Sequence, residues 1–169
     1  MKTLVAYYSL SGNVKYAAER IASIMDADLL ELKPENEPPK NFLKFLFGGK
    51  SVIFGEKAYL NHFDEDPADY DCIVIGTPLW ANRVTPAVRE FIMEHPFEHK
   101  KVGLFASSAG GDAEEMLSHL RKLLAGNNVA AVMSLKDPLK MRAEADAKID
   151  EFTAVLKGSN APFPVDASS

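Results

Sequence analysis

A single cysteine, Cys72, stands in the chain. That excludes an intramolecular disulfide. Cys72 lies inside the apolar run Cys72-Ile73-Val74-Ile75, so it reads as a buried, inert thiol rather than a nucleophile. Histidine is also sparse. His62, His95, His99 and His119 are scattered, none at a metal-ligand spacing with the cysteine, and no metal site is expected. Nowhere do about 18 apolar residues follow one another, so no membrane span is expected. Basic charge falls short too: 19 Lys and Arg against 24 Asp and Glu give a formal net charge of -5, which weighs against nucleic acid as a partner. The first residues run directly into a strand with no leader pattern, and a cytoplasmic location is the expectation. Internal repeats are absent as well.

What is present is a globular composition and a regular alternation. The 169 residues suit one domain, and the 47% apolar and 25% charged shares sit near globular averages. Lys2–Tyr7, Ala27–Leu32, Asp71–Ile75, Val102–Ala106 and Val129–Met133 read as strands. Between and after them, Asn13–Met25, Pro86–Met93, Ala113–Leu124 and Arg142–Leu156 read as helices. The first helix carries Val14, Ala17, Ala18, Ile21, Ala22 and Met25 on one face. Strands without polar alternation are covered on both faces, and strands alternating with helices favour right-handed crossovers. The expected fold is therefore α/β: a doubly wound three-layer sandwich around a five-stranded parallel sheet, with the order 2-1-3-4-5 chosen among the common ones.

Two stretches break the rhythm. Pro34–Pro67 is long for a connection and holds Phe42, Phe45, Phe47, the pair Gly48-Gly49 and Phe54. A short helix near Asn41–Phe47 is expected there, followed by a loop near the ligand face. The last residues, 158–169, are rich in Gly, Ser and Pro and read as a disordered tail after a domain spanning 1–157.

In a doubly wound sheet, ligands bind beyond the carboxyl ends of the strands, where strand order reverses. The loop after the first strand, Tyr8-Ser9-Leu10-Ser11-Gly12-Asn13, sits there. A helix start leaves its first N–H groups unpaired and adds partial positive charge, a combination that suits an anion. Ser9, Ser11 and Asn13 add donors, and Gly12 permits a close backbone approach or a positive φ. A phosphate can be held this way without a cationic side chain. A plain helix cap explains Ser and Asn in this turn equally well. The turn is neither a Walker loop, since no Gly-Lys-Ser/Thr follows, nor a dinucleotide fingerprint, since it has one glycine.

Two further loops tip the balance. After the third strand comes Gly76-Thr77-Pro78-Leu79-Trp80-Ala81-Asn82, which puts the only tryptophan at the same end of the sheet. An indole there invites stacking on a flat ring. Taken alone, a tryptophan packed beneath its loop is the commoner outcome. After the fourth strand come Ser107, Ser108, Ala109, Gly110 and Gly111, whose backbone N–H groups suit the polar edge of a heterocycle. Together the loops offer a phosphate seat, an aromatic platform and a backbone-lined rim.

These residues carry a resemblance. Ser9-Leu10-Ser11-Gly12-Asn13-Val14 is similar to the phosphate loop of flavodoxins, usually Ser/Thr-x-Ser/Thr-Gly-Asn-Thr. Gly76 to Ala81 resembles their ring-facing loop with its tryptophan, and Ser107–Gly111 matches the third flavin loop in position. The resemblance covers residues 2 to about 157. It implies noncovalent FMN, with phosphate on Ser9–Val14, the ring near Thr77, Pro78, Leu79, Trp80, Ala81 and Asn82, and its polar end on Ser107–Gly111. Three departures stand out. Val14 replaces a threonine that supplies a phosphate donor, Ala81-Asn82 lacks the family's glycine, and no tyrosine in the third loop covers the second ring face.

The expected function is that of an FMN redox protein carrying electrons between a reductase and an acceptor. Its alternative is an NAD(P)H-dependent quinone or flavin reductase, for which the open ring face and the long insertion speak. A reading of another class is a binding or regulatory module on the same fold that has lost FMN. A phosphorylated receiver is disfavoured, because Tyr7-Tyr8-Ser9 stands where paired acids are needed. Redox partner proteins, or NAD(P)H with a small acceptor, are the expected partners. The acidic stretch "HFDEDPADYD" reads as a solvated loop. Ser108 with His119 lacks a nucleophile elbow, and Arg83 and Arg89 read as surface residues.

Overall fold

A computed structural model describes residues 1–35 and 58–158. Five strands alternate with helices: β1 (Thr3–Tyr7), α1 (Asn13–Met25), β2 (Asp28–Glu31), β3 (Cys72–Pro78), α2 (Pro86–Glu94), β4 (Lys101–Ser108), α3 (Glu114–Leu123), β5 (Asn128–Lys136) and α4 (Arg142–Gly158). A 3-10 turn at Pro67–Asp69 leads into β3. All strands pair in parallel, and the sheet order is β2-β1-β3-β4-β5, as the sequence predicts.

The central strands explain the order. β1 is buried along its whole length, and so is β3 up to Thr77. Alternate residues go to opposite layers. Leu4, Ala6, Ile73, Ile75 and Leu104 join the core under α2 and α3, while Val5, Tyr7, Val74 and Phe105 join the core under α1 and α4. The six apolar positions read from the sequence on α1 are the six it buries. On α3, Glu114 and Glu115 open the helix and Arg121 and Lys122 close it, in the sense that favours the helix dipole.

Strand ends extend beyond the sequence expectation. β3 continues through Gly76, Thr77 and Pro78, and β4 through Ser107 and Ser108, because Thr77 pairs in register with Ala106 and Pro78 with Ser107. Apolar runs end where the core ends, but backbone pairing does not need an apolar side chain. Phe105 lies against Gly76, where a Cβ would come within 2.2 Å of its ring. No larger residue fits there.

The expected helix near Asn41–Phe47 and most of the Pro34–Pro67 insertion lie outside the described residues, as does the tail from 159 onward. Among the described residues, no helix is long and apolar enough to cross a membrane, and no cluster of side chains could hold a metal ion.

Candidate functional site

The chain leaves β1 while still pinned to the sheet, with Tyr8 N–H donating to Gly76 O at 3.1 Å. It then turns through Ser9, Leu10 and Ser11 and reaches Gly12, the N-cap of α1, at φ 88. That left-handed conformation is open to glycine at little cost. No side chain caps the helix, and no acidic residue stands in its first turn. The first N–H groups of α1 therefore face outward with the positive end of the helix dipole behind them. Ser9 Oγ is buried and has no hydrogen-bond partner. A buried hydroxyl left alone in this way is costly. An oxyanion at the helix start would supply the partner it lacks. The donor set has the chemistry of a phosphate ester seat.

Other residues of this loop are placed differently. Val14 is 1% exposed and packs under α1, so this position can offer a ligand only its backbone N–H. A threonine hydroxyl here would have to turn out of the core. Leu10 packs against the α2 and α3 layer. Asn13 spends its amide within the protein: Nδ2 donates to Ser11 Oγ at 3.2 Å, and Oδ1 accepts from Leu139 N–H at 3.1 Å.

The loop after β3 holds together through buried hydroxyls. Thr77 is fully buried, its hydroxyl 3.1 Å from Pro78 O and 3.2 Å from Thr85 Oγ1. It braces the loop from beneath and does not line the surface. Leu79 N–H donates to Ser107 O at 2.9 Å, which joins this loop to the next. Trp80 through Arg83 then form a tight reverse turn. Ala81 and Asn82 both have positive φ, 48 and 58, and Arg83 N–H reaches Trp80 O at 2.9 Å. This is the geometry of a type I′ turn, which usually calls for glycine. Asn82 Nδ2 donates to Glu115 Oε2 at 2.8 Å and ties the turn to α3.

Trp80 does not present an open face. It is 7% exposed and meets the Tyr8 ring edge-on, with centroids 5.5 Å apart and planes at 89°. The sequence expectation of an exposed aromatic platform thus gives way to an indole packed beneath its loop. The indole joins the core under α2 and α3.

Beyond β4, Ser108 Oγ accepts from Gly111 N–H at 2.8 Å. The hydroxyl closes a turn and is not poised as a nucleophile. Ala109 and Gly110 form an exposed rim with no side chain large enough to cover a ring. Arg89 stands 3.4 Å from Glu90.

Two features of the site escaped the sequence reading. One is a cleft of about 360 Å³ lined by Asn82, Asp112, Ala113, Glu114 and Glu115. Its three carboxylates belong to the start of α3, and the Gly-rich loop before them carried no hint of a hollow. The other is the connection from β5 to α4. Asp137 N–H donates to Ser108 O at 3.1 Å, and Leu139 lies beside Gly12 and Asn13. The general clustering of loops at strand carboxyl ends was the one available signal. At the end of β1, Tyr7 is held neutral well above its ordinary range, chiefly by burial and then by the charges of Glu31 and Glu19.

The structure thus brings the first, third and fourth strand-end loops together around the uncapped start of α1. Known proteins share both the pattern and the architecture. The sequence profile of a family described as flavodoxin matches residues 2–141. A candidate flavoprotein from Bacteroides eggerthii DSM 20697 superposes with a TM-score of 0.71 at 24% identity, over 87% of this chain and 97% of that one. One from Bacteroides uniformis ATCC 8492 gives 0.70 at 26% identity, over 85% and 97%. A flavoprotein from Lactobacillus acidophilus NCFM, solved in complex with FMN, gives 0.59 at 27% identity, over 84% and 97%. With strand order, loop sequence and helix start all in agreement, this chain belongs to the flavodoxin family.

Proposed function

We propose that this protein binds FMN noncovalently and serves as a cytoplasmic electron carrier between a reductase and an acceptor. The carrying observation is the buried, unpartnered Ser9 Oγ beside an uncapped helix start. The donor set fits a phosphate monoester, and a flavoprotein similar to this chain was solved in complex with FMN. In this reading Ser9 Oγ and the N–H groups at the start of α1 hold the phosphate. The Leu79–Asn82 turn and the Ser107–Gly111 loop border the ring, and Trp80 acts from below by supporting Tyr8 and the turn. The cofactor, when bound, supplies reversible electron transfer. The chain's own part is to bind, orient and tune. Asp112, Glu114 and Glu115 add negative charge beside the ring edge, which disfavours further negative charge there and lowers the reduction potential.

A second reading, NAD(P)H-dependent reduction of a quinone or flavin, is favoured by the exposed Ala109-Gly110 rim. It leaves room for a small molecule over the second face of a ring. One series of measurements separates the readings. The purified protein is expected to be yellow, and its apoprotein to quench FMN fluorescence at one equivalent. A carrier then needs a separate reductase to accept electrons from NAD(P)H. Steady oxidation of NAD(P)H with a quinone by the protein alone would replace the carrier with the reductase. A colourless protein that takes up no FMN would overturn both.

A further inference from the structure

The connection between β5 and α4 touches two of the strand-end loops at once. At one end, Asp137 N–H donates to Ser108 O at 3.1 Å, and Lys136 Cβ lies 3.0 Å from where a Cβ on Gly111 would stand. At the other, Leu139 N–H donates to Asn13 Oδ1 at 3.1 Å, and Leu139 Cδ1 would sit 3.5 Å from a Cβ on Gly12. Between them the chain is held tight, because Asp137 O accepts from both Lys140 N–H and Met141 N–H, at 2.8 and 3.0 Å. The connection is a short rigid brace spanning the loops after β1 and β4.

The chemistry of the Asn13 amide fixes its orientation. A backbone N–H can only donate, so the amide oxygen must face Leu139. The nitrogen then faces Ser11 Oγ, 3.2 Å away, and donates to it. A hydroxyl that accepts this bond keeps its own hydrogen for another acceptor. Ser11 is thereby set as a donor, and the turn before α1 is set by residues 126 positions downstream.

We propose that Asn13 is a positioning residue: through Leu139 and Ser11 its amide shapes the phosphate seat in advance, and it does not bind the phosphate with its side chain. The proposal rests on the FMN reading above. Its physical content is preorganisation, in which a loop already held in the binding geometry loses less entropy when the ligand arrives.

The test uses the full chain, freed of flavin, with folding of each variant checked by circular dichroism. Asn13→Ala removes the amide. Leu139→Pro leaves Asn13 in place and removes the N–H that holds it, together with the leucine side chain and the freedom of φ, while Leu139→Ala keeps the N–H and trims the side chain. FMN affinity is expected to fall about tenfold in Asn13→Ala and in Leu139→Pro, to stay within about threefold of the parent in Leu139→Ala, and to fall no further in the Asn13→Ala/Leu139→Pro double variant. Amide exchange read on the apoprotein supplies a second readout: Leu139 N–H should be protected in the parent and exchange faster in Asn13→Ala. If Leu139→Pro binds FMN like the parent while Asn13→Ala does not, Asn13 acts on the phosphate itself and the proposal falls. If Leu139→Pro fails to fold, the exchange comparison decides, and an unprotected Leu139 N–H in the parent overturns the proposal. A parent protein that takes up no FMN defeats the cofactor reading instead, whatever the exchange shows.

Discussion

Helix α1 ends and begins in opposite ways. At its end, Asp26 adopts φ 50 and returns its N–H to Ala22 O, and Ala27 N–H does the same at 3.0 Å. At its start, Gly12 is also left-handed, yet no side chain caps the helix. The contrast extends across the molecule. At the end of the sheet away from the site, Asn127 Oδ1 accepts from Lys100 N–H at 3.0 Å, and its Nδ2 donates to Phe97 O and Leu124 O at 2.9 and 3.3 Å. The left-handed His99 sends its N–H to Gly126 O at 3.0 Å. At the site end, Ser9 Oγ is buried without a partner among the described residues, Thr85 at the start of α2 makes no side-chain cap bond, and Ala81 and Asn82 both hold positive φ. The far end spends these polar groups on stability, and at the site end Ser9 Oγ and the first N–H groups of α1 stay in reserve. Reserved donors have a use only if a ligand arrives.

If that division is right, damage to one end should be silent at the other. Asn127→Ala removes three hydrogen bonds, and about 3 kcal/mol of stability should go with them. Urea unfolding measures the loss, and a parallel FMN titration should show no change. A matching fall in affinity would mean that the two ends are coupled.

Alkaline pH probes the same stable end. Burial, the dominant cause, pushes the Cys72 thiol from 9.0 to about 11, against the smaller lowering effects of Lys101 and Thr3. Above pH 9 the unfolded chain therefore releases this proton while the folded chain keeps it. Stability is complete below pH 9 and is lost as pH climbs to about 11, by on the order of 2 kcal/mol. Apoprotein unfolding at stepped pH should show this limb, and Cys72→Ala should flatten it. The later loss from Tyr70 should remain, since burial and its bond to Asp28 push that phenol to about 12.

The reserve is tested directly by Ser9→Ala. Losing a hydrogen bond to phosphate should weaken FMN binding by on the order of tenfold, about 1.5 kcal/mol. The apoprotein should hold its stability or gain a little, because an orphaned hydroxyl has gone. A destabilised apoprotein with unchanged affinity would show that Ser9 belongs to the scaffold.

The smallest effect concerns the turn at residues 80–83. Ala81→Gly relieves a left-handed alanine, and the gain should be up to about 1 kcal/mol, reduced by the greater freedom of glycine in the unfolded chain. Thermal unfolding reads it. No gain would mean that the bond from Asn82 to Glu115 already holds the turn without strain.

The fold was legible because its signals are local and repeat. The apolar face of α1 follows from spacing alone, and unbroken apolar strands point to burial on both sides. The Ser9–Gly12 loop stands out by its place at a strand carboxyl end, although a plain helix cap accounts for its residue types equally well. The position of Trp80 in its loop says nothing about which way the indole turns, and the structure packs it beneath the loop. Thr77 was hidden for the same reason, its partner Thr85 lying across a turn whose path the sequence leaves open.

Composition and periodicity by themselves determined the layering and the alternation of strands with helices. They act through neighbouring residues, so a linear reading reaches them. Tertiary structure alone decided which donors stay in reserve. Ser9 Oγ is covered yet meets no hydrogen-bond partner among the described residues, whereas Asn13 is engaged only because Leu139 returns from 126 residues away. Whether a polar side chain serves a ligand or the protein depends on what lies across the gap from it.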